Sequence, residues 1–200
     1  MKDPFNLIIT GVGGQGNVLA SQIIGRALVK KGYLITVGET YGLSQRGGAV
    51  SSHIRISSKD QYGPVVPQGM ADVVLGLEPV ESLRILATYG QPEVWCVVNS
   101  RPIYPIGVNA GDAVYPDLEV LKNTVAGLSK KLWWIPAADI AAEIGGFFMT
   151  NVIMLGALAA TGSLPLNQDD YKAALKDIIP PKKLDINLTA FDRGLAEGRA

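Results

Sequence analysis

The sequence is poor in the residues that hold metals and redox centres. It contains one cysteine, Cys96, and one histidine, His53, in 200 residues. A lone cysteine cannot form an internal disulfide, and by itself it cannot hold an iron–sulfur cluster or a structural zinc ion. Because Cys96 lies inside the apolar run at 94–98, we predict an ordinary buried thiol.

Charge is also scarce. Charged residues make up 18% of the chain, and 18 basic residues balance 18 acidic ones. The chain therefore has no excess of positive charge, which a nucleic-acid-binding protein would need to bind phosphates. So few charges are typical of a subunit in a larger assembly, and equally of a compact α/β domain rich in alanine and glycine.

Long uninterrupted apolar runs are missing as well. The longest apolar stretch, residues 144–160, is broken by glycines, Thr150 and Asn151, which argues against a membrane span. The first five residues do not resemble a signal peptide, because a strand pattern begins almost at once. We therefore expect a cytoplasmic protein and one domain over residues 1–200.

The stretch from residue 6 to residue 48 organises the chain. An apolar run at 7–10 leads into a glycine loop, then into helical spacing at 17–31 and a second apolar run at 34–37. Polar loops follow both strands and should lie at the carboxyl edge of the sheet. We predict an α/β, Rossmann-like three-layer domain, with a mainly parallel central sheet and extra antiparallel strands.

The rest of the chain continues this pattern. Alternation at 49–57 predicts a half-exposed strand that carries His53 at a surface or interface. Further core strands are predicted at 71–77, 93–99 and 131–135, and an irregular excursion at 103–116. Helices are predicted at 80–86, 118–129, 137–144, 147–160, 167–176 and 187–194.

The first loop, Gly11-Val12-Gly13-Gly14-Gln15-Gly16, has the spacing of a dinucleotide fingerprint. Small residues let the backbone approach a pyrophosphate at a helix N-terminus, and Glu39 after the second run could bind a ribose hydroxyl. The glycines could equally serve close strand–helix packing with no ligand. The short chain, the lone histidine and the polar Gln15 speak against a complete dehydrogenase.

The second loop, residues 38–48, combines glycines with Ser44, Gln45, Arg46 and Gly47. Arg46 could take a phosphate or carboxylate with two hydrogen bonds. The same loop could order against a partner subunit, or Arg46 could pair with Glu39 or Glu78 inside the fold.

Several single residues carry narrower expectations. Trp133 and Trp134 should lie on opposite faces of a strand. Asn151, inside an apolar helix, is expected to bridge backbone groups rather than bind a substrate. Glu78, and Asn99 with Arg101, follow core strands at positions that often face a site.

Together, GVGGQG at 11–16, GETYG at 38–42 and SQRGG at 44–48 resemble the gamma subunits of 2-oxoacid:ferredoxin oxidoreductases. The likeness continues through Leu77-Glu78-Pro79, Asn99-Ser100 and Asn151 to the C-terminal helix. Within that family, the sequence is most similar to the small (beta) subunit of the indolepyruvate branch.

The resemblance implies a non-autonomous subunit without a catalytic residue of its own. Enzymes of the family oxidatively decarboxylate a 2-oxoacid to an acyl-CoA and reduce ferredoxin. The expected substrate is indolepyruvate or another aryl or branched 2-oxoacid. Thiamine diphosphate and iron–sulfur clusters are then expected in partner subunits, with coenzyme A as co-substrate and a homodimer as one state of the isolated chain. Candidate residues for the partner interface or the coenzyme phosphates are those of the two loops: Gly11, Gly13, Gly14, Gln15, Gly16, Glu39, Ser44, Gln45, Arg46 and Gly47.

Two other hypotheses stay open on the residues alone. One is a free-standing protein that binds NAD(P) or FAD through the glycines and Glu39. The other is a non-catalytic assembly module whose loops only hold a partner.

Overall fold

A six-stranded sheet forms the centre of the structure, a computed structural model that describes residues 2–41 and 48–199. The strands are β1 (Phe5–Val12), β2 (Leu34–Tyr41), β3 (Ala49–Ser57), β4 (Val73–Gly76), β5 (Trp95–Asn99) and β6 (Lys131–Ile135). Their order across the sheet is β2-β3-β1-β4-β5-β6. β1, β4, β5 and β6 pair in parallel, whereas β3 is antiparallel to both β1 and β2. The predicted mixture of parallel and antiparallel strands is confirmed.

Helices cover both faces of the sheet and complete three layers. They are α1 (Asn17–Lys30), α2 (Pro79–Tyr89), α3 (Ile106–Asn109), α4 (Leu118–Gly127), α5 (Ala137–Ile144), α6 (Thr150–Thr161), α7 (Gln168–Ile178) and α8 (Pro181–Glu197). The larger buried cluster joins one face of the sheet to α1, α5, α6, α7 and α8. A smaller cluster joins the other face to α2 and α4. Trp133 packs against the first cluster and Trp134 against the second, as the alternation of a strand requires.

Most element types were predicted from the sequence, and the differences lie mainly at boundaries. The last helix begins at Pro181 rather than Asn187, because proline is well accommodated in the first turn of a helix. The helix predicted at 147–160 is a 3-10 turn, Phe147–Met149, followed by α6. The excursion is irregular except for the single turn of α3. Asn167 caps α7 in a reciprocal hydrogen-bond arrangement with Asp170.

The prediction of a half-exposed β3 is wrong. This strand lies between β2 and β1, so its backbone is paired on both sides and both of its faces are covered. His53 is only 2% exposed, rather than at a surface. The backbone N–H of Val66 donates to His53 Nδ1 at 3.2 Å, and the imidazole meets the ring of Tyr89 edge-on, with centroids 4.9 Å apart. The alternation of apolar and polar residues at 49–57 predicted the strand. It did not indicate that the segment around Val66 covers the polar face of the strand.

Burial makes His53 a pH-dependent element of stability. Burial lowers the pKa of His53 below its ordinary value of 6.5, against an opposing effect of the Glu39 carboxylate. The folded chain therefore favours neutral imidazole, and unfolding below pH 6.5 takes up a proton. We expect stability to be fully present above pH 6.5 and to fall below it, with a slope of at most about 1.4 kcal/mol per pH unit, the limit for one proton.

The measurement is urea unfolding between pH 5 and 8, compared with the His53→Gln variant. Glutamine keeps a hydrogen-bond acceptor but does not titrate, and the sequence has no second histidine. The wild-type curve should lose stability more steeply than the variant below pH 6.5. Parallel curves for the two proteins would contradict the expectation.

α6 and α8 cross at unusually close range. A Cβ atom on Gly194 would overlap the carbonyl oxygen of Ile153, and one on Gly156 would overlap the carbonyl oxygen of Phe191. Both glycines lie in helices with helical backbone angles, so their role here is space rather than backbone freedom. The absence of a side chain at these two positions lets α6 and α8 pack backbone to backbone.

None of the helices in the described ranges has the length and apolar character needed to cross a bilayer.

Candidate functional site

The glycine loop connects β1 to α1 at the carboxyl edge of the sheet. Its backbone turns where the N–H of Gln15 donates to the carbonyl of Val12 at 3.2 Å. Gly14 and Gly16 have φ values of 100° and 84°, which favour glycine. Gly16 caps α1 without a side-chain hydrogen bond. The loop therefore brings the N-terminal end of a helix to the sheet edge, where its partial positive charge favours an anion.

Gln15 holds this loop against the sheet. Its Oε1 accepts from the N–H of Val12 at 2.8 Å, and its Nε2 donates to the carbonyl of Leu77 at 2.7 Å. Gly11 lies underneath, where a Cβ atom would come within 2.5 Å of Gln15 Oε1 and 3.0 Å of Leu77 Cβ. The Gln15 amide is thus used inside the fold, and Gly11 makes room for it.

Asn151 fixes the other end of the loop. It is 2% exposed in the first turn of α6, and its Nδ2 donates to the carbonyl of Gly16 at 3.3 Å. A Cβ atom on Gly16 would overlap the Asn151 amide. The predicted backbone bridge by Asn151 is confirmed, and it explains why position 16 has no room for a side chain.

A cleft of about 490 Å³ lies beside the loop. Its lining comes from the loop, from the end of β5, from the start of α5 and from the turn before α6. The lining residues are Val12, Gly13, Gly14, Gln15, Arg101, Pro102, Ile103, Ala138, Phe147, Phe148 and Thr150. Of the residues predicted from the first loop, Gly13, Gly14 and Gln15 line this cleft, while Gly11 and Gly16 support it from behind. We call it the loop cleft.

Arg101 is the cationic side chain among these lining residues. Its Nη1 lies 2.8 Å from Asp139 Oδ1, and its guanidinium carbon lies 4.8 Å from the centre of the Phe147 ring. Arg101 is about half exposed, and Phe147 and Phe148 are 55% and 65% exposed. Exposed phenylalanines beside an accessible guanidinium are typical of a surface that binds a ligand or a partner.

A buried carboxylate anchors the wall of the loop cleft. Glu78 is 1% exposed and caps α2, where its Oε2 accepts from the N–H of Glu81 at 2.9 Å. Its Oε1 accepts from the Tyr115 hydroxyl and from the N–H of Ile103 at 3.4 Å. Burial and the hydrogen bond to Glu78 raise the pKa of Tyr115, so its hydroxyl remains a donor. Glu78 thereby ties both ends of the excursion to the sheet edge.

Glu39 lies outside the loop cleft. β3 separates β2 from β1, and Glu39 faces α1 instead of the glycine loop. Its two carboxylate oxygens accept from the hydroxyls of Ser21 at 2.9 Å and Ser52 at 2.6 Å. Both oxygens are therefore engaged within the fold, at a groove between α1 and β2.

The second loop's candidates, Ser44, Gln45, Arg46 and Gly47, lie outside the described residues. The flanking residue Gly48 is described, and its carbonyl accepts from the N–H of Gly13 at 2.9 Å. The first loop therefore lies against the backbone at which the second loop ends.

Chemical groups for catalysis are sparse in the parts of the chain that are described. No three His, Cys, Asp or Glu side chains of residues 2–41 and 48–199 come together in a way that would hold a metal ion. Cys96 is fully buried in β5, and burial raises the pKa of its thiol to about 12. An iron–sulfur cluster does not fit this chain, because its single thiol lies inside the sheet.

Arg101 follows a core strand at a position that often faces a site, but the site residues predicted from the sequence do not include Arg101, Phe147 or Phe148. The available signals were the polar segment 99–102 after a core strand and the two phenylalanines after Gly145-Gly146. Neither signal indicates that the two segments meet, since 46 positions separate Arg101 from Phe147 in the chain.

A sequence model of the family described as pyruvate ferredoxin/flavodoxin oxidoreductase matches residues 6–197. This chain belongs to that oxidoreductase family. Its relatives include the indolepyruvate oxidoreductase subunit IorB of Pyrococcus horikoshii, 42% identical over 98% of this chain and 96% of that protein. The IorB of Thermococcus kodakarensis is 40% identical, over the same shares of the two chains. The common gamma subunit of the pyruvate/ketoisovalerate oxidoreductases of Pyrococcus furiosus is 31% identical over 84% of this chain and 82% of that one.

Solved structures share the fold of this member of the pyruvate ferredoxin/flavodoxin oxidoreductase family. The gamma subunit of a keto/oxoacid ferredoxin oxidoreductase from Geobacter sulfurreducens superposes with a TM-score of 0.69, at 21% identity, over 97% of this chain and 98% of that one. A second structure is the 2-oxoglutarate:ferredoxin oxidoreductase of Magnetococcus marinus, solved with 2-oxoglutarate, coenzyme A and succinyl-CoA. It superposes with a TM-score of 0.76 at 22% identity. It covers all of this chain but 32% of that chain. The same fold thus occurs both as a separate subunit and as one part of a longer oxidoreductase chain.

Proposed function

We propose that this chain forms the coenzyme A side of its complex, and that the loop cleft receives the anionic part of the coenzyme. The chain is a subunit of a 2-oxoacid:ferredoxin oxidoreductase, as its family and its relatives show. The free-standing NAD(P) or FAD protein is not favoured, and the engaged carboxylate of Glu39 agrees with this. The relatives named indolepyruvate oxidoreductase support an aryl 2-oxoacid as the substrate of the complex.

The observation that carries the proposal is the composition of the loop cleft. Among the residues that the structure describes, it combines backbone of the glycine loop, the Arg101 guanidinium and two exposed phenylalanines, and these lining residues include no carboxylate, histidine or cysteine. Such a site can hold an anion and a flat apolar group, but it has nothing to transfer protons or electrons with. We therefore assign binding to this chain and the chemistry to its partners.

The partner subunits supply thiamine diphosphate and the iron–sulfur clusters in this proposal. The complex decarboxylates the 2-oxoacid oxidatively, transfers the acyl group to coenzyme A and passes the electrons to ferredoxin. This chain contacts ferredoxin only through those partners, and the complex is placed in the cytoplasm. The exposed rim of the loop cleft, which includes Ile103, Phe147 and Phe148, packs against the thiamine-binding partner.

Arg101→Ala tests the proposal in the assembled complex. Loss of one charge-assisted hydrogen bond to a phosphate is worth about 1.5–3 kcal/mol, so the KM for coenzyme A should rise roughly 10- to 100-fold. The KM for the 2-oxoacid should stay unchanged, because that substrate reacts on the thiamine-binding partner. Both constants are read from ferredoxin or viologen reduction with the purified complex.

Arg193→Ala is the matched control. Arg193 forms an exposed pair with Glu143 at 3.0 Å, much as Arg101 does with Asp139, but it lies outside the loop cleft. Its variant should leave the KM for coenzyme A at the wild-type value. An unchanged KM for coenzyme A in Arg101→Ala, with the complex intact, would overturn the proposal.

A further inference from the structure

The two edges of the sheet are protected very differently. The edge strand β6 is five residues long and begins with Lys131, whose ammonium lies 4.3 Å from the centre of the Trp95 ring. The opposite edge, β2, is eight residues long and contains no lysine, arginine or proline. Short strands and lysines are common protection against unwanted pairing, and a long strand without them is a template for another strand.

The one charge of β2 does not protect the edge either. The carboxylate of Glu39 is turned towards α1, where the hydroxyls of Ser21 and Ser52 bind it. Among the described strands, β3 alone pairs with β2, so the outer row of backbone N–H and C=O groups is available. This edge therefore differs from β6 in length, in charge and in the direction of its charged side chain.

An apolar groove runs beside the same edge. It has a volume of about 700 Å³ and lies between α1 and β2. Val18 and Val29 on α1 are 37% and 51% exposed, and Val37 on β2 is 38% exposed. Val18 and Val29 are eleven positions apart, close to three full helical turns, so they lie on one face of α1.

We infer that a second copy of this chain covers this edge, with the two β2 strands antiparallel about a two-fold axis near Val37. The contacts between α1 and β2 place that axis. Ser21 is bonded to Glu39, and a Cβ atom on Gly25 would lie 2.9 Å from Ile35 Cδ1. These two contacts put residue 23 of α1 opposite residue 37 of β2. The inference is independent of the loop cleft and of its ligand.

The exposed valines of α1 are arranged symmetrically about that axis. Val18 lies five positions before residue 23 and Val29 six positions after it. At 1.5 Å per residue, they are roughly 8 and 9 Å from the axis, on opposite sides. A two-fold rotation therefore brings Val18 of one copy to the same level along the strands as Val29 of the other. A surface that is complementary to itself in this way favours a second copy over an unrelated partner.

The charges near the groove permit this contact. Arg26 and Lys30 on α1 both pair with Asp177 of the same chain, with Arg26 Nε at 2.8 Å from the carboxylate. With the axis at Val37, Glu39 of one copy lies opposite Ile35 of the other, so no like charges oppose each other on the paired strands. The two cations are thus already paired with a carboxylate of their own copy before the copies meet.

The first test measures the mass of the purified full chain by light scattering at concentrations from 1 to 100 µM. The wild type should behave as a dimer, and Val37→Lys should raise its dissociation constant at least tenfold by placing two lysines at the axis. Val120→Lys, at a valine that is 60% exposed on α4, is the matched control and should remain dimeric. A monomeric wild type at every concentration, or equal dimerisation of Val37→Lys, would overturn the inference.

The second test locates the contact by cross-linking. The native Cys96 is buried and unreactive, so an introduced cysteine on the surface is the thiol that reacts. With a short bis-maleimide, a mixture of Val18→Cys and Val29→Cys chains should form covalent dimers several-fold more efficiently than either variant alone. Equal yields from the single variants and the mixture would rule out the proposed two-fold arrangement.

Discussion

Gly194→Ala should destabilise the chain by about 3 kcal/mol, because the added methyl group has no space between α6 and α8. A Cβ atom at this position would overlap the carbonyl oxygen of Ile153 and lie 2.6 Å from the carbonyl carbon. The obstacle is helix backbone, which cannot rotate aside as a side chain would. The two helices would have to separate, and α6 would pull on Asn151 and on the glycine loop that it holds.

Thermal and urea unfolding would measure this loss. Gly127→Ala is the matched control, since Gly127 ends α4 and a Cβ atom there meets nothing within 4 Å. Alanine is the better helix former, so this control should be neutral or stabilising by up to about 1 kcal/mol. If both glycine variants changed stability equally, close packing of α6 and α8 would not be the cause.

Glu78→Ala should cost about 3 kcal/mol and loosen the wall of the loop cleft. The substitution removes the cap of α2 and leaves the Tyr115 hydroxyl and two backbone N–H groups without their acceptor. The Tyr115 hydroxyl and the Ile103 N–H lie at the two ends of the excursion, so residues 103–116 should exchange their amide hydrogens much faster. The KM for coenzyme A should rise as well, because Arg101 and Ile103 would no longer be held in place.

Asp117→Ala separates the effect of a lost cap from the effect of a lost anchor. Asp117 caps α4 at an exposed position, accepting from the N–H of Glu119 at 2.9 Å and of Val120 at 3.1 Å. Its loss should cost about 1 kcal/mol and leave the excursion protected near Tyr115. Hydrogen exchange followed by mass spectrometry distinguishes the two variants. Comparable losses, with unchanged protection of 103–116 in Glu78→Ala, would show that Glu78 is only a helix cap.

Local sequence patterns predicted the element types well because hydrophobic period and capping act over a few residues. The helix predicted at 17–31 is observed as α1, which ends one residue earlier, at Lys30. Asn167 caps α7 through reciprocal hydrogen bonds with Asp170. β3 failed for the opposite reason. Its alternation of apolar and polar residues is that of a strand with one solvent-exposed face. Its partner strands on both sides and the segment at Val66 that covers it come from other parts of the chain.

The loop cleft shows the same division. The glycine spacing indicated a sharp turn after β1, and Gly14 and Gly16 do have positive φ angles. Gln15 and Glu39 looked like residues for a ligand, yet each binds groups of the fold itself. Which polar side chains remain free depends on the internal acceptors and donors within reach, and these come from positions such as Leu77, 62 residues away from Gln15.

By itself, the sequence determined the layered α/β fold, the glycine turn and the resemblance to oxidoreductase gamma subunits. These depend on periodicity and on short motifs, whose physical causes are local. Only the tertiary structure decided that β3 separates β2 from β1, that Arg101 meets Phe147, and that β2 is the long edge strand among the described strands. The order of strands and the meeting of distant loops depend on which surfaces bury each other best, and this is a property of the whole chain.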